Sequence, residues 1–387
     1  MSYICYTIIV HNIVGMPKYI KREIETQLKK AVNQFSVVVL TGSRQSGKST
    51  LVKKLFHKKF KYVLLDELDT LRFAKEDPRG FLEQYSPPVI LDEIQECPEL
   101  LSYIKRRVDE SKQKPGQYII TGSQQFNLME GIQESLGGRA AILDLATLSL
   151  KELDNLYKDE KHWSFWINKG SYPRLWASRT IDRKTWYSSY IRTVIDRDVK
   201  QHIQASYLGH YEKFIYLLFS RCAQAINYSD ISKDLGVDQK TIMTWFKFLE
   251  RAQIIFLINT YPKNLGKRII KKPKLYFYDS GIVAYSLGYL TQEQIRNGPI
   301  AGAIFENLVI SEIVKRNFAT GRHNKLFFYK ESNGVEVDLI IEQGKKLDII
   351  EIKTNETPTM NHARNLERFY SFLKDANITN QKKINLF

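Results

Sequence analysis

Short apolar, β-branched runs recur through the first 150 residues: Val37–Leu40, Tyr62–Asp66, Val89–Asp92, Tyr118–Thr121 and Ala141–Leu145. Stretches with helical spacing separate them. This alternation predicts a mostly parallel sheet with helices on both faces. From about residue 149 to residue 210 the spacing is helical throughout, with Trp186, Tyr190, Ile191 and Val194 on one stripe, so a helical lid is expected. In residues 211–280 the pattern changes again. Tyr228–Leu235 reads as a short helix, Gly236-Val237 as a turn, and Asp238 as the cap of a second helix, Gln239–Arg251. Ile242, Trp245, Phe246 and Leu249 share one stripe of that helix. The β-rich runs Ile254–Tyr261 and Lys274–Tyr278 follow. This order predicts a winged helix-turn-helix, a DNA-binding pattern that also serves in protein–protein contacts. The C-terminal segment opens a helix at Gly302–Glu306, then shows two strands, Val335–Ile341 and Leu347–Lys353, as a hairpin around Glu342–Lys345.

Chemistry enters with Gly42-Ser43-Arg44-Gln45-Ser46-Gly47-Lys48-Ser49, followed by Thr50. The spacing is GxxxxGK[ST], set between an apolar strand and a helix N-terminus, which is the context a phosphate-cradling loop requires. Backbone N–H groups of the loop would wrap the β-phosphate, Lys48 would reach the β- and γ-phosphates, and the Ser49 hydroxyl would bind Mg²⁺. Downstream, the strand Pro88–Leu91 ends in Asp92 and Glu93. Asp92 is expected to hold the hydration shell of the metal and Glu93 to act as general base on the attacking water. A base at this place predicts hydrolysis rather than sensing alone. Ser123 or Gln124, at the end of the Tyr118–Thr121 strand, stands as a polar residue near the γ-phosphate; an ordinary polar turn is the alternative. Arg139, after Ser135-Leu136-Gly137-Gly138, is either a finger aimed at a neighbouring subunit's γ-phosphate or a surface arginine.

A second chemistry is written into the C-terminal hairpin. With Glu342 opposite Lys345, residue 336 faces 351 and residue 338 faces 349, so Asp338, Glu351 and Lys353 share a face. Glu306 or Glu312 is offered from the preceding helix. Two carboxylates beside a lysine can hold Mg²⁺ and orient a water for phosphodiester attack. The arrangement is similar to the PD-(D/E)xK nuclease superfamily, with Asp338 and Glu351-Ile352-Lys353 at the matching positions. Exposed hairpin charges or an inactive nuclease-like fold are the alternatives. Because such a domain would continue with another strand after the helix near residues 361–373, the tail reads as truncated.

Taken together, the loop, Leu91-Asp92-Glu93-Ile94-Gln95, Thr121-Gly122-Ser123-Gln124, Ser135–Arg139, Gly170-Ser171-Tyr172-Pro173, Asp196-Arg197-Asp198-Val199 and Lys274–Gly281 resemble AAA-type ATPases of bacteria and archaea that carry a C-terminal domain of unknown function. The resemblance runs from about Met16 to about Lys353 and implies ATP as the nucleotide. With the patterns above, the chain is expected to divide into an extension of uncertain origin (1–15), an AAA-type core (16–150), the lid (151–210), the winged helix-turn-helix (211–285) and a nuclease-like α+β domain (286–387).

Composition adds partners and place. The 387 residues carry a net charge of +16, which favours a polyanion, DNA first, through phosphate contacts; a generally lysine-rich chain is the plain alternative. The basic stretch Lys263, Lys267, Arg268, Lys271, Lys272 and Lys274 falls where a wing tip would meet phosphates. Three scattered cysteines give neither a metal spacing nor a disulfide framework, as expected in a reducing cytoplasm. No apolar run spans a membrane. The expectation is a cytoplasmic, homo-oligomeric Mg²⁺-dependent ATPase whose C-terminal half acts on DNA. The alternatives are an ATP-gated nuclease and an ATP-switched scaffold for a protein partner.

Overall fold

The computed structural model describes residues 19–123, 131–132, 134–154, 156, 162–178, 180–195, 205–261, 272–322, 324–331, 335–344, 346–354, 368–369, 371 and 382–386. The extension 1–15, Gln124, the Asp196–Val199 motif and the basic positions 263–271 lie outside them.

The first unit runs α1 (Glu25–Gln34), β1 (Val37–Gly42), α2 (Lys48–Phe56), β2 (Lys61–Leu64), α3 (Leu68–Glu76), α4 (Pro78–Gln84), β3 (Val89–Asp92), α5 (Leu100–Glu110), β4 (Tyr118–Ser123) and β5 (Ala140–Asp144). The five strands are parallel in the order β2-β3-β4-β1-β5. Successive side chains of a strand point to opposite faces, and β1 shows the consequence. Val37 and Val39 pack with α3, α4 and α5, while Val38 and Leu40 pack with α1 and α2. The sheet is thereby covered on both sides, as its unbroken apolar strands require.

A helical stretch follows: α6 (Leu150–Asp154), α7 (Trp163–Lys169), α8 (Pro173–Ala177) and α9 (Arg183–Tyr190). Next come α10 (Leu208–Ser220), α11 (Tyr228–Leu235), α12 (Gln239–Arg251), β6 (Ile255–Thr260) and β7 (Lys274–Phe277). The stripe Ile242, Trp245, Phe246 and Leu249 of α12 is buried against α10 and α11, and Gln239, Lys240, Met243, Thr244 and Lys247 are exposed. The chain ends with α13 (Ser280–Ser286), α14 (Gln292–Asn297), α15 (Ala301–Thr320), β8 (Lys325–Lys330), β9 (Glu336–Gln343), β10 (Lys346–Glu351) and β11 (Lys382–Leu386).

The second sheet has the order β11-β10-β9-β8-β6-β7. The β6–β7 hairpin is therefore continuous with the C-terminal strands, through two parallel residue pairs, Asn259 with Phe327 and Thr260 with Phe328. Buried Asn307 of α15 pins this hairpin: its Oδ1 accepts from the Phe277 N–H at 2.7 Å and its Nδ2 donates to the Phe277 carbonyl at 3.0 Å. The strand that the tail was expected to lack is present as β11, parallel to β10.

Candidate nucleotide site

The loop after β1 turns sharply because Gly42, at φ +155°, passes so close to the Leu145 carbonyl oxygen that a Cβ would lie 2.3 Å from it. Gly47, at φ 96°, is the residue before α2. Both conformations suit glycine. Lys48 opens the helix, is 5% exposed, and folds back on its own loop, donating to the carbonyls of Gly42 and Ser43 at 3.0 Å each. Burial pulls its pKa down to about 8, against the opposing fields of Glu93 and Asp92. The Ser46 hydroxyl, fully buried in the same loop, has no hydrogen-bond partner among the described residues.

Asp92 ends β3 with no exposed surface. One carboxylate oxygen accepts from the Thr121 hydroxyl of β4 and the other from the Tyr62 hydroxyl of β2. Burial, then the bond to Asp92, raises the Tyr62 pKa. Glu93 sits at φ 60°, ψ 48°, a conformation uncommon for a non-glycine residue and concentrated at functional sites. Its carboxylate accepts from the Gln95 side chain. Ser49 and Asp92 are hard oxygen donors, suited to Mg²⁺ that completes its shell with water and phosphate oxygens. Among the described residues no group of three or more His, Cys, Asp or Glu side chains is arranged to hold a metal ion.

A cavity of about 830 Å³ opens over the loop, lined by Arg44, Gln45, Gly47, Lys48, Ser49, Thr50 and Glu93 on one side. On the other stand Ile20, Leu148, Pro173, Arg174, Ala177 and Trp186, an apolar wall with one exposed guanidinium. The helical stretch is thus the lid of this cavity. Its place is set by the sequence marks Gly170–Pro173 and Asp279–Gly281, which meet in the fold. Buried Asp279 accepts from the Tyr187 hydroxyl at 2.8 Å and the Ser171 N–H at 3.4 Å. A Cβ on Gly281 would lie 2.7 Å from the Gly170 Cα. Arg22 braces the opposite edge, donating to the carbonyls of Ser46 and Ala146 at 2.9 and 2.7 Å and pairing with Glu152 at 3.0 Å.

Sequence reasoning missed Arg22, Tyr62, Arg174 and Gln253, whose side chain reaches the loop from the turn after α12. The Pro173-Arg174 step beside a marked glycine was the one local signal among them. Ser123 pairs in register with Gly42 at the end of β4. Arg139, just before β5, is clasped by Asp109 of α5, with Nε to Oδ1 at 2.6 Å and Nη2 to Oδ2 at 3.0 Å.

The C-terminal residues converge, on a different register from the one expected. Gln343, not Glu342, starts the ladder, opposite Lys346, around a turn in which Gly344 has φ 60°. The shift is two residues, so the faces are kept, and extending the ladder sets Asp338 opposite Glu351. Lys353 Nζ lies 2.8 Å from Glu351 and 3.3 Å from Asp338. Lys274 is corrected outright: it is no wing-tip residue but is 3% exposed, pairing with Glu306 at 3.1 Å and Glu336 at 2.8 Å. Burial works against its charge, yet the two carboxylates hold its pKa above the ordinary lysine value. Burial, then Asp338, pushes Glu351 up to about 7. Glu312 points elsewhere, accepting from the Leu150 N–H at 2.6 Å.

Comparison with known proteins finds three matched stretches. Residues 34–154 match the family model described as an AAA domain, residues 160–293 a domain of unknown function (DUF8612), and residues 301–385 a domain of unknown function (DUF4143). The class defined by loop, sheet and match is an AAA-type P-loop domain followed by a C-terminal DUF4143 region. Two curated relatives, uncharacterized proteins of Mycobacterium tuberculosis and Mycobacterium bovis, are each 27% identical over 346 residues, covering 89% of this chain and 76% of the relative. Among solved structures, a Walker-type ATPase of Pyrococcus abyssi is similar at 15% identity and a TM-score of 0.40, over 68% of this chain and 95% of its own. A RuvB variant of Thermotoga maritima is similar at 14% identity and a TM-score of 0.31, over 62% and 89%. No helix among the described residues is long and apolar enough to cross a membrane.

Proposed function

We propose that this protein binds ATP with Mg²⁺, hydrolyses it, and uses the change of nucleotide state to reposition the α10–β11 half, which acts on DNA. The observation that carries the hydrolysis is the convergence of Lys48, Ser49 and Glu93 on one cavity, with Asp92 held next to Glu93 at the end of β3 by Thr121 and Tyr62. Mg²⁺, held by Ser49 and Asp92, would neutralise charge on the phosphate oxygens. Lys48 exchanges its loop carbonyls for the β- and γ-phosphates. Glu93 takes the proton of the attacking water, with Gln95 fixing its carboxylate. Arg174 lines the cavity from the lid side and is the cation proposed to meet a phosphate, and the apolar wall of Ile20, Leu148, Pro173 and Trp186 suits a nucleobase. Ser123, the last residue of β4, pairs in register with Gly42 at the start of the loop, and Ser123 or Gln124 is the polar residue proposed to meet the γ-phosphate. For Arg139 to act across a subunit boundary in a homo-oligomer it must leave Asp109.

Support for DNA comes from the exposed polar face of α12, with Gln239, Lys240, Thr244 and Lys247, on a chain of net charge +16. A recognition helix presents such a face to the major groove, in a winged-helix arrangement with β6 and β7. Phosphate release, measured with and without duplex and single-stranded DNA, tests both halves. DNA-stimulated turnover that vanishes in Glu93→Gln, with ATP binding kept, is expected. Turnover indifferent to DNA at any salt would remove the DNA part and leave a scaffold for a protein partner.

A nuclease reading is favoured by one observation, the meeting of Asp338, Glu351 and Lys353 beside Glu306. Metal-dependent cleavage abolished by Asp338→Ala would establish it. Absence of cleavage with Mg²⁺ or Mn²⁺ would leave the cluster as a structural ion network.

A further inference from the structure

Helix α12 ends in an arrangement that glycine fills best. The Ile254 N–H donates to the Leu249 carbonyl and the Gln253 N–H to the Glu250 carbonyl, both at 3.0 Å. Between these bonds the backbone at residue 253 is left-handed, with φ 51°. This is a Schellman end, whose left-handed position is commonly glycine because a Cβ is strained there. The chain places a glutamine at it, and the side chain is 3% exposed. A strained, buried polar side chain calls for a use, and its contacts supply one.

The carboxamide of Gln253 reaches 210 residues back along the chain. Its Oε1 accepts from the Ser43 N–H at 3.2 Å, and its Nε2 donates to Asp144 Oδ1 at 3.1 Å. Asp144 Oδ1 also accepts from the Thr41 hydroxyl at 2.6 Å. The orientation of the amide is dictated, since reversing it would set N–H against N–H and oxygen against carboxylate. Ser43 is thus held on both sides: Gln253 takes its N–H, and Lys48 takes its carbonyl at 3.0 Å. When Lys48 turns to a phosphate it releases that carbonyl. Gln253 then remains as the side chain holding the entrance of the loop, and it belongs to the turn that ends α12.

We propose that Gln253 is a positioning residue for the phosphate loop, and that it links occupancy of the nucleotide cavity to helix α12. The proposal rests on the nucleotide reading above. A preorganised loop binds its anion more tightly than one that must be ordered first, so loss of this bond weakens nucleotide binding. Coupling through one such element commonly amounts to about 5–150-fold in affinity.

The test uses the full-length protein and a fluorescent, non-hydrolysable ATP analogue with Mg²⁺, read by fluorescence, together with hydrogen exchange over residues 239–253. In Gln253→Gly the backbone conformation is the favoured one, so the fold is retained, while affinity falls about tenfold and nucleotide-dependent protection of α12 is lost. Gln253→Glu sets two carboxylates together and weakens binding at least as much. Adding Asp144→Asn to it restores a donor facing an acceptor and returns affinity to within about threefold of wild type. A merely structural role would not produce that rescue. Wild-type affinity and wild-type protection in folded Gln253→Gly would overturn the proposal alone, as would a double variant no better than Gln253→Glu. Failure of the unaltered protein to bind the analogue would overturn the nucleotide site and this link with it.

Discussion

Lys48 and Lys274 are both buried lysines, 5% and 3% exposed, and their fates are opposite. Lys48 touches two carbonyl oxygens and no carboxylate at ion-pair distance among the described residues, and its pKa falls to about 8. Lys274 is clasped by Glu306 and Glu336, and its pKa rises. The first is a cation in low dielectric that lacks its anion. The second has found two within its own chain. A buried charge left uncompensated marks a place where a ligand of the opposite sign is wanted, whereas a compensated one marks an internal lock. The same contrast separates the two candidate sites. The loop faces a cavity of about 830 Å³, while both lysines of the C-terminal cluster already lie against its carboxylates.

Replacing Lys48 is the strongest way to break this comparison. Lys48→Ala removes the cation and its charge-assisted hydrogen bonds to phosphate, and nucleotide affinity should fall by at least about 10³-fold, as read by calorimetry; an affinity within a few-fold of wild type would refute the site. Lys274→Met tests the lock. Leaving buried Glu306 without its lysine should lower stability by about 3–5 kcal/mol in urea unfolding, with nucleotide affinity kept; half-buried Glu336 retains Lys330. If the cluster can take a metal once the lysine is gone, Mn²⁺ will raise the melting temperature of this variant and not of wild type.

The pH dependence sharpens the distinction. Phosphate binds the charged form of Lys48, and above its pKa of about 8 the empty site loses that form. Affinity should therefore be flat below pH 7 and fall by up to about tenfold per unit above pH 8. Proton uptake on binding at pH 9, measured in buffers of different ionisation enthalpy, checks the sign. The smallest effect is expected from Tyr62→Phe. Asp92 keeps Thr121 and loses one donor, so urea unfolding of the empty protein should show a loss of about 1–2 kcal/mol.

The parts of this molecule that were legible in the sequence are the local ones. The loop, the five parallel strands and the helix Gln239–Arg251 each declare themselves through spacing within a dozen residues. Asp92 and Glu93 follow from a strand end. Gln253, Tyr62 and Arg22 were not legible, because each acts where strands or helices distant in the chain come together. Tyr62 meets Asp92 because β2 lies beside β3, and nothing near Tyr62 in sequence says so. Lys274 was misplaced for a related reason. Its basic neighbours suggested an exposed tip, but β7 is an edge of the second sheet lying under α15, where Glu306 waits. The hairpin register was off by two, and the period of a strand forgave it, since a shift of two returns every side chain to its face.

The two sheet halves joined at β6 and β8 share two parallel residue pairs, Asn259 with Phe327 and Thr260 with Phe328, against five pairs between β9 and β10. If the C-terminal strands β8–β11 were pulled while α12 and the β6–β7 hairpin stayed anchored, tension would cross the sheet at this narrow seam. Backbone bonds share such a load in parallel, so the seam with the fewest gives way before the hairpins on either side. In an optical-trap recording this would be a small, reversible extension ahead of the main rip, abolished by a disulfide stapled across β6 and β8.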